Sequence, residues 1–145
     1  MGQKVHPYGF RLGIIRDWQA KWYAEKNYAR LLQDDLRLRR AIEQKCSEGG
    51  IARLEIERLG DEVSLTIYSA RPGILIGRGG QNVEALRSEL EKISGEKIRL
   101  TIREIEHPEL SAYLVAQSIA GRIEDMIPFR RVMRQTAFRT LQAGA

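Results

Sequence analysis

The chain has 145 residues, of which 43% are hydrophobic and 30% are charged, and its formal net charge is +5. This balance is typical of a globular domain and argues against a disordered chain. Residues 1–60 carry a net charge of +4 and residues 128–145 carry +4, whereas residues 61–127 carry −3. The basic residues are therefore concentrated at the two ends. This distribution excludes a uniformly basic surface and favours a polyanionic partner.

Two classes of protein are disfavoured at this level. No apolar run is long enough to span a membrane, and residues 1–10 lack the apolar segment of a secretory signal. Cys46 is the only cysteine, so an internal disulfide is excluded. We therefore expect a protein of a reducing, intracellular environment with no membrane partner.

The first 27 residues form no periodic pattern and mix glycines, aromatic rings and basic side chains. We expect an extended arm of the kind that becomes ordered against a partner. Among its basic side chains, Lys4 and Arg11 are suited to pairing with phosphates, and its aromatic rings could stack on unpaired bases. For Trp18 and Trp22, packing into the core is an equal alternative.

Hydrophobic periodicity predicts the remaining elements. In chain order it indicates a helix over 27–47, strands over 52–59 and 63–68, a short apolar turn at 73–80, a helix over 83–93, a strand over 98–105, and two helices over 114–126 and 129–141. The turn at 60–61 is so short that the first two strands should be antiparallel neighbours. Gly95 is the expected end of the helix over 83–93.

The most informative segment is the glycine-rich loop that precedes the helix at 83–93. Gly77, Arg78, Gly79 and Gly80 form a GxxG loop between an apolar turn and an amphipathic helix. Glycine permits a tight turn and leaves room for a sugar-phosphate backbone, and free amides at a helix start favour an anion. The alternative is a glycine-rich connection that only allows close packing. The pattern alone does not decide between a phosphate-binding loop and a connection that only allows close packing.

Other chemistry can be tested against the same residues. A Walker loop needs Lys-Ser/Thr after the closing glycine, where this chain has Gln81-Asn82, and a dinucleotide fingerprint needs glycine at Asn82. His6 and His107 do not have the spacing of a metal site, and we expect no metal and no cofactor. Cys46 is expected to be a buried, inert thiol. These observations predict that the chain is not an enzyme.

A second basic cluster lies on the last predicted helix. Arg130 and Arg134 share a helix face, Arg131 lies about 100° around from Arg130, and no acidic residue follows Pro128. The cluster is either an RNA contact or a solvated cationic face.

Several separated segments together resemble one family. They are the opening MGQKVHPYGFRLG, the stretch from Ala70 through Gly80, Pro108-Glu109-Leu110, and Phe129-Arg130-Arg131. In these segments the chain resembles the N-terminal part of bacterial-type small-subunit ribosomal proteins of the S three family. Family members continue into a second α/β domain, so we expect this chain to represent only the part that precedes it.

The resemblance implies an α+β fold: a type II KH domain, with a three-stranded sheet packed against helices, an N-terminal arm and a C-terminal helical pair. The corresponding boundaries are 1–27 for the arm, 28–106 for the KH domain and 107–145 for the helical pair. In KH domains the GxxG loop clamps the backbone of about four nucleotides.

The resemblance also implies a structural role in the head of the small ribosomal subunit, bound to 16S ribosomal RNA. Its basic residues would face messenger RNA on the path by which it enters the ribosome, with the proteins S ten and S fourteen as neighbours. The expected location is a cytoplasmic ribosome, and an organellar ribosome stays open. The RNA-binding residues so implied are Lys4, Arg11, Gly77, Arg78, Gly79, Gly80, Arg130, Arg131 and Arg134. The alternative is a free-standing regulatory KH protein that binds single-stranded RNA; a nucleotide-dependent enzyme is disfavoured by the failed phosphate motifs.

Overall fold

The computed structural model describes residues 2–60 and 62–145, apart from the side chain of residue 48. Its helices are α1 Pro7–Phe10, α2 Tyr28–Lys45, α3 Pro72–Ile76, α4 Gln81–Ser94, α5 Ala112–Glu124 and α6 Phe129–Gln142, and its strands are β1 Ala20–Lys21, β2 Ile51–Leu59, β3 Glu62–Ser69 and β4 Lys97–Glu104. Short 3-10 turns lie at Ser47–Gly49, Arg78–Gly80 and Pro108–Leu110. Every element that periodicity predicts is present and in the predicted order.

The sheet has the strand order β1-β2-β3-β4. Strands β2 and β3 form the predicted antiparallel hairpin, in which Ile56 lies opposite Leu65. Strand β4 pairs parallel to β3, because α3 and α4 carry the chain back across the sheet between them. The α-β-β-α-α-β order of α2 to β4 is the α+β architecture expected of a type II KH domain.

One face of this sheet is apolar and is covered by α2 and α4. Alternate residues of the strands point inward, as a period of two requires, and meet an apolar stripe on each helix. The buried hydrophobic cluster consists of Leu38, Ile42, Cys46, Leu54, Ile56, Val63, Leu65, Ile67, Leu75, Leu86, Leu90 and Ile98. On the opposite face Arg53 pairs with Glu55, whose other oxygen accepts a hydrogen bond from the Tyr68 hydroxyl. Helices therefore lie on one face of the sheet, as predicted.

The N-terminal arm is more ordered than its sequence predicts. It contributes β1, which pairs parallel to β2 at the edge of the sheet and adds a fourth strand to the three predicted ones. A strand of two residues is too short to produce an alternating pattern, so the sequence contains no signal for it. Trp22 is half-buried, and its indole Nε1 donates to Asp35 Oδ2 over 2.8 Å. Trp18 is 60% exposed, so only Trp22 takes the packing role.

The C-terminal helices pack against each other and against the KH core. Leu114 on α5 and Val132 on α6 are buried, and α5 also contacts β2. Several large apolar side chains of this pair stay exposed, among them Phe129, Met133 and Phe138. Within residues 2–60 and 62–145, no helix combines the length and apolar character needed to cross a lipid bilayer.

Cys46 ends α2 and lies in the core, where its residue is 6% exposed and burial raises the pKa of its thiol. Because the thiolate is the reactive form, we expect alkylation by iodoacetamide at pH 8 to be slow in the native protein and fast in 6 M guanidinium chloride. The measurement is the rate of mass increase. Equal rates in the two conditions would contradict the buried position.

Candidate nucleic-acid interface

The GxxG loop connects α3 to α4 through three residues with positive φ. Helix α3 ends at Gly77, which has φ 70° and ψ −177°. Gly79 has φ 64° and ψ 18°, and Gly80 has φ 81° and ψ 6°. The conformation of Gly77 is almost exclusive to glycine, whereas Gly79 and Gly80 occupy the left-handed region that asparagine and aspartate also adopt. The backbone thus requires glycine most strictly at the first loop position.

A close contact beneath the loop adds to this requirement. A Cβ atom built on Gly77 would lie 2.6 Å from Cγ of Asn82, while one built on Gly79 would meet nothing within 4 Å. Asn82 is held there by a hydrogen bond of 3.3 Å from its Nδ2 to the carbonyl oxygen of Ile74. The side chain that replaces the third glycine of a dinucleotide fingerprint therefore braces the loop from α4.

Alanine substitutions should distinguish these two glycines. We expect Gly77→Ala to destabilise the protein by about 2–4 kcal/mol, because the conformation is unfavourable and Asn82 must move. Gly79→Ala should destabilise it by about 1–2 kcal/mol, since only the left-handed backbone opposes it. Urea denaturation followed by circular dichroism measures both. A smaller effect at Gly77 than at Gly79 would contradict the contact with Asn82.

The loop presents backbone donors toward solvent. The amide of Gly77 donates to Gly73 O over 3.0 Å, and that of Gln81 donates to Arg78 O. Among the described residues, no acceptor is bonded to the amides of Arg78 or Gly79, whereas the amide of Gly80 lies within the 3-10 turn Arg78–Gly80. Arg78 and Gly79 are exposed at the tip. The tip of the loop is therefore not covered by other segments, and the N–H groups of Arg78 and Gly79 stay available to an anion.

The surface beside the loop is apolar. Ile74 and Ile76 on α3 are 42% and 41% exposed, which is unusual for isoleucine next to a core. Both α3 and α4 contact β4, the strand at the far edge of the sheet. An apolar surface next to free amides can accept both parts of an RNA strand, since bases pack on apolar groups while the backbone meets donors.

The three arginines of α6 lie together on the surface. Arg130, Arg131 and Arg134 line one shallow depression with Gln135 and Phe138. All three are exposed, and the Arg130 guanidinium lies 5.8 Å from the centroid of the Phe129 ring. Helix α6 packs chiefly against α5, so this basic surface is separate from the loop between α3 and α4.

The two residues of the arm that the resemblance implies as RNA contacts lie on its exposed surface. Lys4 is exposed, and Arg11 donates from Nη1 to the carbonyl oxygen of Pro7 over 2.7 Å. Nearby, the Arg16 guanidinium lies 5.7 Å from the centroid of the Tyr8 ring. The arm therefore presents cations and aromatic faces together, although one guanidinium N–H of Arg11 is hydrogen-bonded within the arm itself.

Histidines and carboxylates do not form a metal site in the described part of the chain, where no group of three candidate ligands comes together. His6 instead accepts a hydrogen bond at Nδ1 from the amide of Tyr8 over 3.2 Å and caps α1.

One cluster of cations was not predicted as a site. Arg71, Arg122 and Arg139 come from separate segments of the sequence and line a single cavity. Their spacing along the chain contains no signal for this, because only the packing of α5 and α6 against the KH core brings them together.

Comparison with known proteins agrees with these features. A sequence model of the KH domain family matches residues 37–110. The chain is 50% identical over 145 residues to "Small ribosomal subunit protein uS3" of Lactiplantibacillus plantarum, an alignment that covers 100% of this chain and 67% of the relative. It is 52% identical over 146 residues to the protein of the same name in Dehalococcoides mccartyi, covering 100% of this chain and 52% of that relative. The Streptococcus mutans protein of that name is 48% identical over 145 residues, with coverages of 100% and 67%.

The chain therefore spans between about half and two thirds of the length of these relatives. The relatives bear the name of a ribosomal protein and not of an enzyme, in agreement with the prediction of no catalytic activity. Its KH domain, its α+β fold and its similarity to these proteins over all 145 of its residues lead to one conclusion: the chain belongs to the small ribosomal subunit protein uS3 family.

Proposed function

We propose that the chain binds 16S ribosomal RNA in the head of the small ribosomal subunit and that the GxxG loop is its main contact with the RNA backbone. The observation that carries this proposal is the pair of unpaired amides at Arg78 and Gly79, two residues that are exposed to solvent. They stand before the positive end of α4, beside the guanidinium of Arg78. Gly77, Gly79 and Gly80 give the phosphates close access to these donors.

In this proposal three parts of the chain contact RNA. The KH domain at 28–106 holds the RNA backbone, and the arm at 1–27 contributes Lys4 and Arg11. The helical pair at 107–145 contributes Arg130, Arg131 and Arg134 on a separate surface. We propose that this second surface meets messenger RNA where it enters the ribosome. The proteins S ten and S fourteen are the proposed neighbours, in a cytoplasmic ribosome.

The α6 surface can be tested by the salt dependence of binding. Arg131→Ala combined with Arg134→Ala should weaken binding of a single-stranded RNA oligonucleotide and reduce the slope of log K against log salt. Each lost phosphate contact removes about 0.7 of slope for single-stranded RNA, so the expected reduction is about 1.4. Fluorescence anisotropy between 50 and 300 mM salt (roughly the range in which such slopes are measured) gives both quantities. Arg30→Ala with Arg40→Ala, on the exposed side of α2, is the control of equal charge. Identical slopes for the two double variants would remove the α6 surface from the RNA interface.

The ribosomal assignment is tested by sedimentation and crosslinking. The tagged chain should sediment with small subunits, and ultraviolet crosslinks in assembled subunits should map residues 77–80 to nucleotides of 16S ribosomal RNA. A free-standing regulatory KH protein would stay in the soluble fraction instead. A chain that fails to join small subunits would contradict the proposal.

A further inference from the structure

A cavity of ≈ 520 Å³ lies where the KH core meets the helical pair. One wall comes from the turn after α2 and the segment after β3, and the other from α5 and α6. A volume of this size is within the range of about 300–1,000 Å³ that is typical of small-molecule sites.

The cavity gathers positive charge from three separate elements. Arg71 follows β3, Arg122 is in the last turn of α5 and Arg139 is in the last turn of α6. Among the side chains that the structure describes, none of the three forms an ion pair, and Glu109 is the carboxylate that lines the cavity with them. Guanidinium groups that share a concave surface repel one another, so a bound anion would relieve that repulsion.

Arg71 is positioned by a rigid backbone. Its amide donates to Gly49 O over 3.2 Å and to Ser69 Oγ over 3.0 Å. Ser69 is fully buried, and its hydroxyl donates in turn to Gly49 O over 2.6 Å. These bonds fix the backbone from which the Arg71 side chain extends before any ligand arrives. The conformational entropy lost on binding is therefore smaller.

The other lining groups suit a nucleotide better than a bare anion. Ser47, Ser118 and Gln117 supply hydroxyl and amide donors, while Pro108 and Leu114 supply apolar surface. Arg139 also lies on the same helix as Arg134, about 7.5 Å further along its axis. It also lies about 140° around the helix from Arg134, so an RNA strand that contacts the α6 surface reaches the cavity by passing around α6.

We infer that this cavity binds one unpaired nucleotide of an RNA strand, with Arg71, Arg122 and Arg139 around its phosphate. The inference rests on the proposed RNA-binding function and adds a third contact point to the loop and the α6 surface. The bound nucleotide would contact both parts of the chain, because Arg71 belongs to the KH core and Arg122 and Arg139 belong to the helical pair.

The first test compares two triple variants of the 145-residue chain. The cavity variant carries Arg71→Gln, Arg122→Gln and Arg139→Gln, and the control carries Arg30→Gln, Arg40→Gln and Lys92→Gln at exposed positions outside the cavity. We expect the cavity variant to bind a uridine oligonucleotide at least about tenfold more weakly than the control, with a slope against log salt lower by about 2. Equal affinities and slopes for the two variants would overturn the inference.

The second test uses the unaltered chain, so it does not depend on whether a variant folds. A titration with the oligonucleotide, followed by amide chemical shifts, should perturb Gly79 and Gly80 in the loop and also Gln117, Ser118 and Thr140 at the cavity. Shifts in the loop alone would overturn the cavity inference and leave the proposed function intact. Shifts at the cavity alone would retain the cavity and contradict the proposed role of the loop.

Free nucleotides are the other source of the same chemistry, and uridine monophosphate is the probe for them. It should perturb the cavity amides only at concentrations well above those at which the oligonucleotide saturates them. If the monophosphate saturates the cavity at the lower concentration, the site is one for free nucleotides and the RNA inference is overturned.

Discussion

Replacing Arg78 and Gly79 with aspartate should abolish RNA binding while the protein stays folded. The two carboxylates would stand where phosphates must lie, next to the amides of residues 78–80. Loss of charge-assisted hydrogen bonds together with the new repulsion should amount to about 3 kcal/mol or more, on the order of a hundredfold in affinity. Gly79 tolerates the change because nothing lies within 4 Å of an added Cβ and aspartate can adopt its φ of 64°.

The matched control is Arg40→Asp with Gly60→Asp. Gly60 also has a positive φ, 62°, and open space around an added Cβ, so the change in charge is the same and aspartate again has to adopt a positive φ. Circular dichroism checks the fold of both variants, and anisotropy with a 16S ribosomal RNA fragment measures affinity. If the loop variant binds as tightly as the control, a different surface carries the RNA, and the loop serves only as a connection between α3 and α4.

The largest loss of stability is expected from Arg58→Ala. Arg58 on β2 donates from Nη2 to Asp35 Oδ1 over 2.6 Å and from Nη1 to Glu96 Oε2 over 2.7 Å. The Arg58 and Asp35 side chains are only 7% and 4% exposed. Removing the arginine leaves the Asp35 carboxylate buried with Trp22 as its remaining side-chain donor, which should reduce the free energy of unfolding by about 3–5 kcal/mol.

An exposed ion pair provides the comparison for this variant. Arg87 pairs with Glu91 on α4 over 3.1 Å, and their side chains are 45% and 35% exposed, so Arg87→Ala should change stability by no more than about 0.5 kcal/mol. Urea denaturation measures both variants, and tryptophan fluorescence reports whether the arm detaches from α2. The double variant Asp35→Leu with Arg58→Met should be much less destabilised than Arg58→Ala, because no buried charge stays unpaired. Similar losses for Arg58→Ala and Arg87→Ala would show that the buried pair contributes little.

Local patterns predicted the elements of this fold but not every contact among them. The stripe from Val83 to Ile93 and the glycine at 95 locate α4 correctly, since Gly95 ends it with φ 72°. The alternation over 63–68 locates β3 for the same reason: each pattern reports one face of one element. Periodicity does not predict strand β1, because Ala20 and Lys21 form a strand only through their pairing with β2.

The candidate site also has one part that the sequence predicts and another that only the structure shows. The loop from Gly77 to Gly80 could be found from the sequence because all of its residues are contiguous, and its glycines are required by local backbone angles. The cavity lined by Arg71, Arg122 and Arg139 could not, because those residues are far apart in the chain. The two tryptophans of the arm show that local composition does not predict burial. Trp22 donates to Asp35 and Trp18 stays exposed, although their neighbouring residues are alike in composition.

The amino-acid sequence by itself determined the order of helices and strands, the basic ends of the chain and the glycine loop that can admit a phosphate. The tertiary structure alone decided the parallel pairing of β3 with β4, the burial of Asp35 against Arg58, and the meeting of three arginines from separate elements. Periodicity and turn residues act over a few residues, whereas contacts between distant segments form only when the whole chain closes around its core. For that reason the position of the loop could be inferred early, and its surroundings could not.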